Sequence, residues 1–314
     1  STFLELRDVH LISATLNGES LDVDAYNTTL SASGETGENG LLLPSLAAHN
    51  TIDIDAWCHY STTGEGLHRA VDAADGTVYL YSQCEPADSK RVFACFDQPD
   101  LKAPIDLTVT APAGWEIISN SSIATSTPAE SPIYADVDAV TLHFQVTNPL
   151  CPYVFALCAG PYHRWSDTYH WHGDDGREIT IPLNLYCRET LAPYFDPDNI
   201  FALTKGGFDY YHRTFGILYP FTGSYDQVFV PDFNAGAMEN VGCVTYREDY
   251  VFRSRATAWK YERRADTVLH EMAHMWFGNL VTMQWWNDLW LNESFASWAS
   301  VMAQLGSTTY QTAL

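Results

Sequence analysis

The sequence predicts a mixed fold, with a β-sheet domain over residues 1–188 and an α+β segment over residues 189–314. Three observations lead there. Short runs rich in β-branched and aromatic residues, set off by turn formers, fill the first part. Segments of helical length with an apolar period near 3.6 dominate the second. A chain of 314 residues, 46% hydrophobic, is long enough to bury one or two full cores.

Taken in chain order, residues 14–23 read as a hairpin, because Asn17-Gly18 sits between short β-rich runs and both residue types tolerate positive φ. Strands are expected at 78–83, 105–110, 140–146 and 153–159. The Ser/Thr/Pro/Ala-rich stretch 119–132 has turn formers and little apolar periodicity, which predicts a surface loop. A second hairpin turns at Gly173-Asp174-Asp175-Gly176, flanked by strands at 165–171 and 179–186. Past residue 188, helices are expected at 199–215, 258–280 and 292–305, with strands at 227–230 and 243–246. In the last helix Phe295, Trp298, Val301, Met302 and Leu305 share a face, and Gly306 is expected to stop it. Nothing repeats internally.

Charge narrows the function. Lys plus Arg number 16 and Asp plus Glu 39, a formal charge of −23, which repels phosphate backbones and anionic membrane surfaces and attracts a cationic substrate group. Nucleic-acid and membrane partners are therefore not expected. No apolar run approaches the roughly 18 residues of a membrane span, and no basic-then-apolar leader opens the chain, so it reads as soluble. The seven cysteines are odd in number and form no C-x-x-C pair, which predicts buried reduced thiols and a cytoplasmic setting. Sequons occur at Asn27, Asn120 and Asn292.

The strongest chemical signal is His270-Glu271-Met272-Ala273-His274, an H-E-x-x-H on an expected helix. Residues four apart are separated by about 40° around the axis and about 6 Å along it, so both imidazoles project toward one ion. Glu271 lies about 100° round from His270, where a carboxylate reaches water beside the metal without ligating it. After an eighteen-residue gap comes Glu293, at the start of the next helix, completing a His₂Glu zinc set with an open fourth position. The alternative motif with a third histidine needs Gly at 277 and His at 280, where the chain has Phe277 and Leu280. His170 and His172 read as strand-surface residues. No G-x-S-x-G elbow, P-loop or G-x-G-x-x-G fingerprint is present.

These residues resemble the gluzincin aminopeptidases similar to aminopeptidase N. Gly236-Ala237-Met238-Glu239-Asn240, 31 residues before Glu271, matches one family motif, and the zinc signature with its gap matches another. The segment from Gln83-Cys84-Glu85-Pro86 through Cys95-Phe96-Asp97-Gln98-Pro99 looks like the family's N-terminal signature. The resemblance implies a β-saddle domain, lacking its first strands, followed by the start of a thermolysin-like zinc peptidase domain. It implies one Zn²⁺ per chain on His270, His274 and Glu293, with Glu271 as general base. It also implies that Glu239 binds the substrate's free α-ammonium with help from Glu85 and Gln83, while Gly236, Ala237 and Met238 pair with the peptide backbone. Cys84, Gln98 and Ser294 depart from the family's commoner residues without removing a catalytic group.

The expected activity is hydrolysis of the N-terminal residue from peptides that carry a free N-terminus. Two alternatives stay open at this stage: a leukotriene-hydrolase-like epoxide hydrolase of the same fold, and a peptide-binding scaffold that is no longer catalytic. The family's oxyanion-donating tyrosine is expected beyond Leu314, so residues 1–314 alone are expected to be poorly active and to associate through uncovered apolar helix faces.

Overall fold

The computed structural model describes residues 2–27, 40–131 and 136–310. Its N-terminal part is built from small antiparallel sheets. Val9–Leu16 pairs with Glu19–Ser20 through a turn in which Asn17 and Gly18 have φ of 54° and 85°, as the Asn-Gly pair predicts. Val9–Leu16 also pairs with Ile52–Cys58. A four-stranded sheet runs in the order Gly66–Val71, Val78–Gln83, Leu157–Gly160, Glu116–Ser119, and a three-stranded one in the order Ile123–Glu130, Asp138–Phe144, Thr108–Pro112.

The C-terminal half is organised on a five-stranded mixed sheet: β1 (Tyr162–His172), β2 (Glu178–Arg188), β3 (Tyr225–Val230), β4 (Ala237–Met238) and β5 (Cys243–Arg247), in spatial order β1-β2-β3-β5-β4. β1 and β2 form the expected hairpin, paired from Tyr162↔Arg188 to His172↔Glu178. β3 is buried along its whole length. Phe229 on one face joins Leu183, Tyr246, Val268 and Met272 in the core beneath the helices, while Val228 and Val230 on the other join Tyr79, Tyr81, Tyr153 and Met238 at the junction with the N-terminal part. Being covered on both faces, the strand also buries two polar side chains, Asp226 and Gln227, which are hydrogen-bonded by Asn184 and to Thr204 respectively. Three helices complete the layer: α1 (Pro197–Phe215), α2 (Ala258–Ala273) and α3 (Leu289–Ser307).

Several expectations are corrected. The stretch 119–132 is not a loop throughout: Ile123–Glu130 is a strand paired with Asp138–Phe144, and Pro132 lies outside the described residues. All but one of its side chains are exposed, so the strand is held by backbone pairing and leaves no apolar period to read. The 105–110 strand begins at Thr108, and in 153–159 a 3₁₀ turn over Pro152–Val154 precedes the strand Leu157–Gly160. The helix expected over 258–280 ends at Ala273. α3 runs through Gly306 to Ser307; a Cβ on Gly306 would lie 2.5 Å from the Tyr210 ring, so this glycine permits close helix packing and does not stop the helix. The buried face of α3 is also not the one with the large apolar side chains. Ala296, Ala299, Ser300, Ala303 and Gln304 face the core, whereas Trp298 and Met302 are exposed. Small residues let α3 approach α2 and α1 closely, and that approach carries its first turns to the site.

Candidate metal centre

α2 places the two histidines of the motif at its C-terminal end. His270 lies in the last turn and His274 is the C-cap. The chain then folds back through Trp276, whose indole Nε1 donates to the Ile217 carbonyl at 3.0 Å and whose side chain is buried. Gly278 has φ of +124°, and a Cβ there would stand 3.1 Å from His274 Nδ1, so the turn beside the imidazole requires glycine. From this turn the chain passes to α3, where Phe295 packs on Phe277 with ring centroids 3.6 Å apart. That contact sets Glu293 opposite the two histidines.

The Nε2 atoms of His270 and His274 face each other at 3.1 Å. Glu293 Oε2 is 3.4 Å from the first and Oε1 is 3.6 Å from the second. Tetrahedral ligands at zinc's usual bond lengths stand about 3.3 Å from one another, so these three edges match the set an ion would span. His274 Nδ1 is 3.0 Å from the Phe277 carbonyl, which can only accept, so Nδ1 carries the proton and Nε2 presents its lone pair. Burial, with His270 opposite, lowers the His274 pKa to about 4, which keeps this imidazole neutral and ready to ligate. The Glu293 carboxyl is raised by burial, yet its bond to His270 and the nearby His274 outweigh that and leave it below the usual value. The donor set fits a zinc ion.

Three further carboxylates crowd the same place. Glu239, Glu271 and His274 offer atoms within 4.8 Å of one another, as do Glu85, Glu239 and Glu293. Glu271 is buried on the helix beside the ligands, and burial together with Glu239 and Glu293 drives its carboxyl well up. Burial and Glu293 raise Glu239, and burial with Glu239 and Glu293 raises Glu85. Glu239 Oε1 is buried with no hydrogen-bond partner, and the same holds for Gln83 Oε1. Such orphaned acceptors beside clustered carboxylates are costly unless a cationic donor arrives.

The elements explain the convergence. Gln83 ends the strand Val78–Gln83, its Nε2 3.5 Å from Met238 Sδ, and Glu85 follows it at the junction between the two halves. Ala237 and Met238 form β4, which pairs with Tyr246 and Thr245 of β5 on one side and is the outermost strand on the other. A cavity of 390 Å³ opens from this strand, bordered by Gly236, Ala237, His270, Glu271 and Ser297. A wider apolar crevice of 860 Å³ in the N-terminal part is lined by no carboxylate or imidazole.

Every site residue read from the motifs therefore lies in one place. His170 and His172 are exposed on β1, His170 Nδ1 3.0 Å from Thr180 Oγ1, and neither joins the metal-fitting groups. Two of the sequon asparagines are buried, Asn120 and Asn292. Motif reading did not single out Asn279, whose side chain reaches the Glu239 main chain; its one signal is its place in the turn after the metal helix.

Comparison with known proteins agrees with this layout. Residues 18–154 match the Peptidase M1 N-terminal domain, and residues 201–311 match the Peptidase family M1 domain. The chain is 46% identical over 304 residues to Aminopeptidase N of Streptomyces lividans, an alignment that takes in 96% of this chain and 32% of that protein. It is 37% identical to Aminopeptidase M1 of Arabidopsis thaliana over 71% of this chain and 23% of that one. The crystal structure of Legionella pneumophila aminopeptidase A in complex with aspartic acid superposes with a TM-score of 0.79 at 23% identity, covering 97% of this chain and 33% of that one, which shows a shared fold. The chain thus spans about a third or less of the length of these relatives.

Proposed function

We propose, from a chain that belongs to the M1 peptidase family, that the protein is a zinc aminopeptidase removing the N-terminal residue from peptides with a free α-amine. The observation that carries this reading is the buried Glu239 carboxylate, one oxygen of which has no hydrogen-bond partner, lying within the same cluster as the three metal-fitting residues. His270, His274 and Glu293 would hold one Zn²⁺, which supplies Lewis acidity to a scissile carbonyl and to water. Glu271 takes a proton from the attacking water and returns it to the departing amine nitrogen; its burial beside the ligands supports this role. Glu239 and Glu85 bind the substrate's α-ammonium at a fixed distance from the reacting carbonyl, and Gln83 borders the same space. Gly236, Ala237 and Met238 offer the peptide an open strand edge, which is supported by the outermost place of β4 in the sheet.

The setting follows from smaller observations. No helix among the described residues is long and apolar enough to cross a membrane. The seven cysteines are all free and only Cys58 is exposed, which supports a reducing compartment such as the cytoplasm. The deciding experiment compares a tripeptide with its N-acetylated form by mass spectrometry, before and after chelation and with zinc restored. Loss of one N-terminal residue from the free peptide alone, abolished by chelator and recovered with zinc, is expected. Equal cleavage of both peptides would overturn the exopeptidase assignment.

A further inference from the structure

The main chain around Glu239 is held by side chains from both halves of the chain. Asn279, in the turn that follows the metal helix, donates from Nδ2 to the Glu239 carbonyl at 2.8 Å. Its own backbone ties it to the ligands, since Asn279 N donates to the His274 carbonyl at 3.0 Å. From the N-terminal half, Asn120 donates from Nδ2 to the Val241 carbonyl at 2.8 Å and to the Val154 carbonyl at 2.8 Å, and its Oδ1 accepts from Ala156 N at 2.8 Å. Lys102, also from the N-terminal half, donates from Nζ to the Asn279 carbonyl at 2.7 Å. Asn120 and Asn279 are both buried. Gly242 has φ of +69°, and a Cβ there would approach the Asn120 carbonyl oxygen to 2.9 Å, so the loop is shaped to let Asn120 in.

These bonds tie together three things that recognition of an N-terminus must hold in register: the metal helix, the Glu239 carboxylate, and the N-terminal half that brings Glu85. On its entering side the loop is anchored by Met238, paired with Thr245 in the sheet. We propose that Asn120 and Asn279 are positioning residues for α-amine recognition, holding the Glu239 main chain so that its carboxylate stands at a set distance from the metal ligands and from Glu85. The proposal rests on the reading of Glu239 as the ammonium ligand. Neither asparagine touches the reacting atoms. Both act through the loop. An amide suits the task because it donates to buried carbonyls without adding a charge to a site already crowded with carboxylates. The Asn120 sequon is thereby explained as a buried structural amide.

The test uses the zinc-loaded enzyme and its Asn120→Ala, Asn120→Ser and Asn279→Ala variants. Zinc content and thermal midpoint are measured first. Inhibition by leucine hydroxamate is then compared with inhibition by its des-amino counterpart, 4-methylpentanohydroxamate, alongside kcat and KM for an aminoacyl arylamide. The wild type is expected to prefer the amino compound. In the variants that preference should fall about tenfold or more, with KM rising more than kcat falls, because a misplaced carboxylate loses its grip on the ammonium alone. Zinc should stay at one per molecule, and inhibition by the des-amino compound should be nearly unchanged. Folded, zinc-loaded variants that keep the wild-type preference would overturn the proposal, whatever their thermal midpoints. If the Asn120 variants do not fold, Asn279→Ala decides, since it releases the same loop at a different carbonyl. A wild type with no preference would remove the role of Glu239 itself, a failure separate from that of the clamp.

Discussion

Replacing Glu239 by Gln should move activity and stability in opposite directions. The residue is 3% exposed, its Oε1 has no hydrogen-bond partner, and Glu85, Glu271 and Glu293 surround it. In the free protein burial and Glu293 disfavour the charge on this carboxylate more than His270 and Tyr153 favour it, and glutamine of the same shape removes that cost. In the complex the sign reverses, because a charge-assisted bond to the substrate ammonium becomes a neutral one. Hydrogen bonds to charged groups contribute about 1.5–3 kcal/mol, so kcat/KM for an aminoacyl arylamide should fall by roughly 10- to 150-fold, with Glu85 retaining part of the attraction. The thermal midpoint, measured with and without zinc, should hold steady or rise. Unchanged kcat/KM would refute the ammonium assignment. A parallel fall in kcat/KM and thermal midpoint would show that Glu239 supports the fold instead.

Glu271→Gln should keep one zinc per molecule while losing roughly 10²–10⁴ in kcat, the usual range for a general base; loss of the metal would make Glu271 a ligand. His270→Ala and His274→Ala should each abolish stoichiometric zinc by metal analysis, and retention by either would break the ligand set. Asp226, bonded by Asn184 Nδ2 at 2.7 Å, is pushed by burial from 3.8 up to about 6. Its folded form therefore holds a proton that the unfolded chain releases, so its contribution is full below about pH 4 and is lost as pH rises through about 6. Asp226→Asn should accordingly stabilise the protein at pH 7 by up to about 3 kcal/mol and have little effect at about pH 3.5. A denaturant titration at the two pH values checks this, and equal destabilisation at both would refute it.

The site is more legible in the sequence than the fold around it, for a physical reason. Metal chemistry restricts residue type, and helical geometry restricts spacing, so the order of residues by itself places His270, Glu271 and His274 around one end of a helix. Tertiary packing obeys looser rules. The 123–130 strand escapes notice because it buries almost nothing, and a strand held by backbone alone has no side-chain signature. α3 misleads in the other direction: of its large apolar residues Trp298 and Met302 are exposed and Phe295 is half-buried, while its alanines mark the fully buried side, since what α2 and α1 require of it is proximity and not volume. The helix expected through residue 280 stops at Ala273 because the imidazole of His274 and the turn at Gly278 must face back into the cleft, a demand of the site that overrides helical periodicity. The roles of Asn120 and Asn279 are not legible in the sequence for a related reason. An amide that satisfies a distant carbonyl is chosen by a contact 121 residues away in one case and 40 in the other, and no local pattern encodes that separation. Motifs thus report the residue types that a chemistry demands, while contacts that span the fold become visible only once the chain is folded.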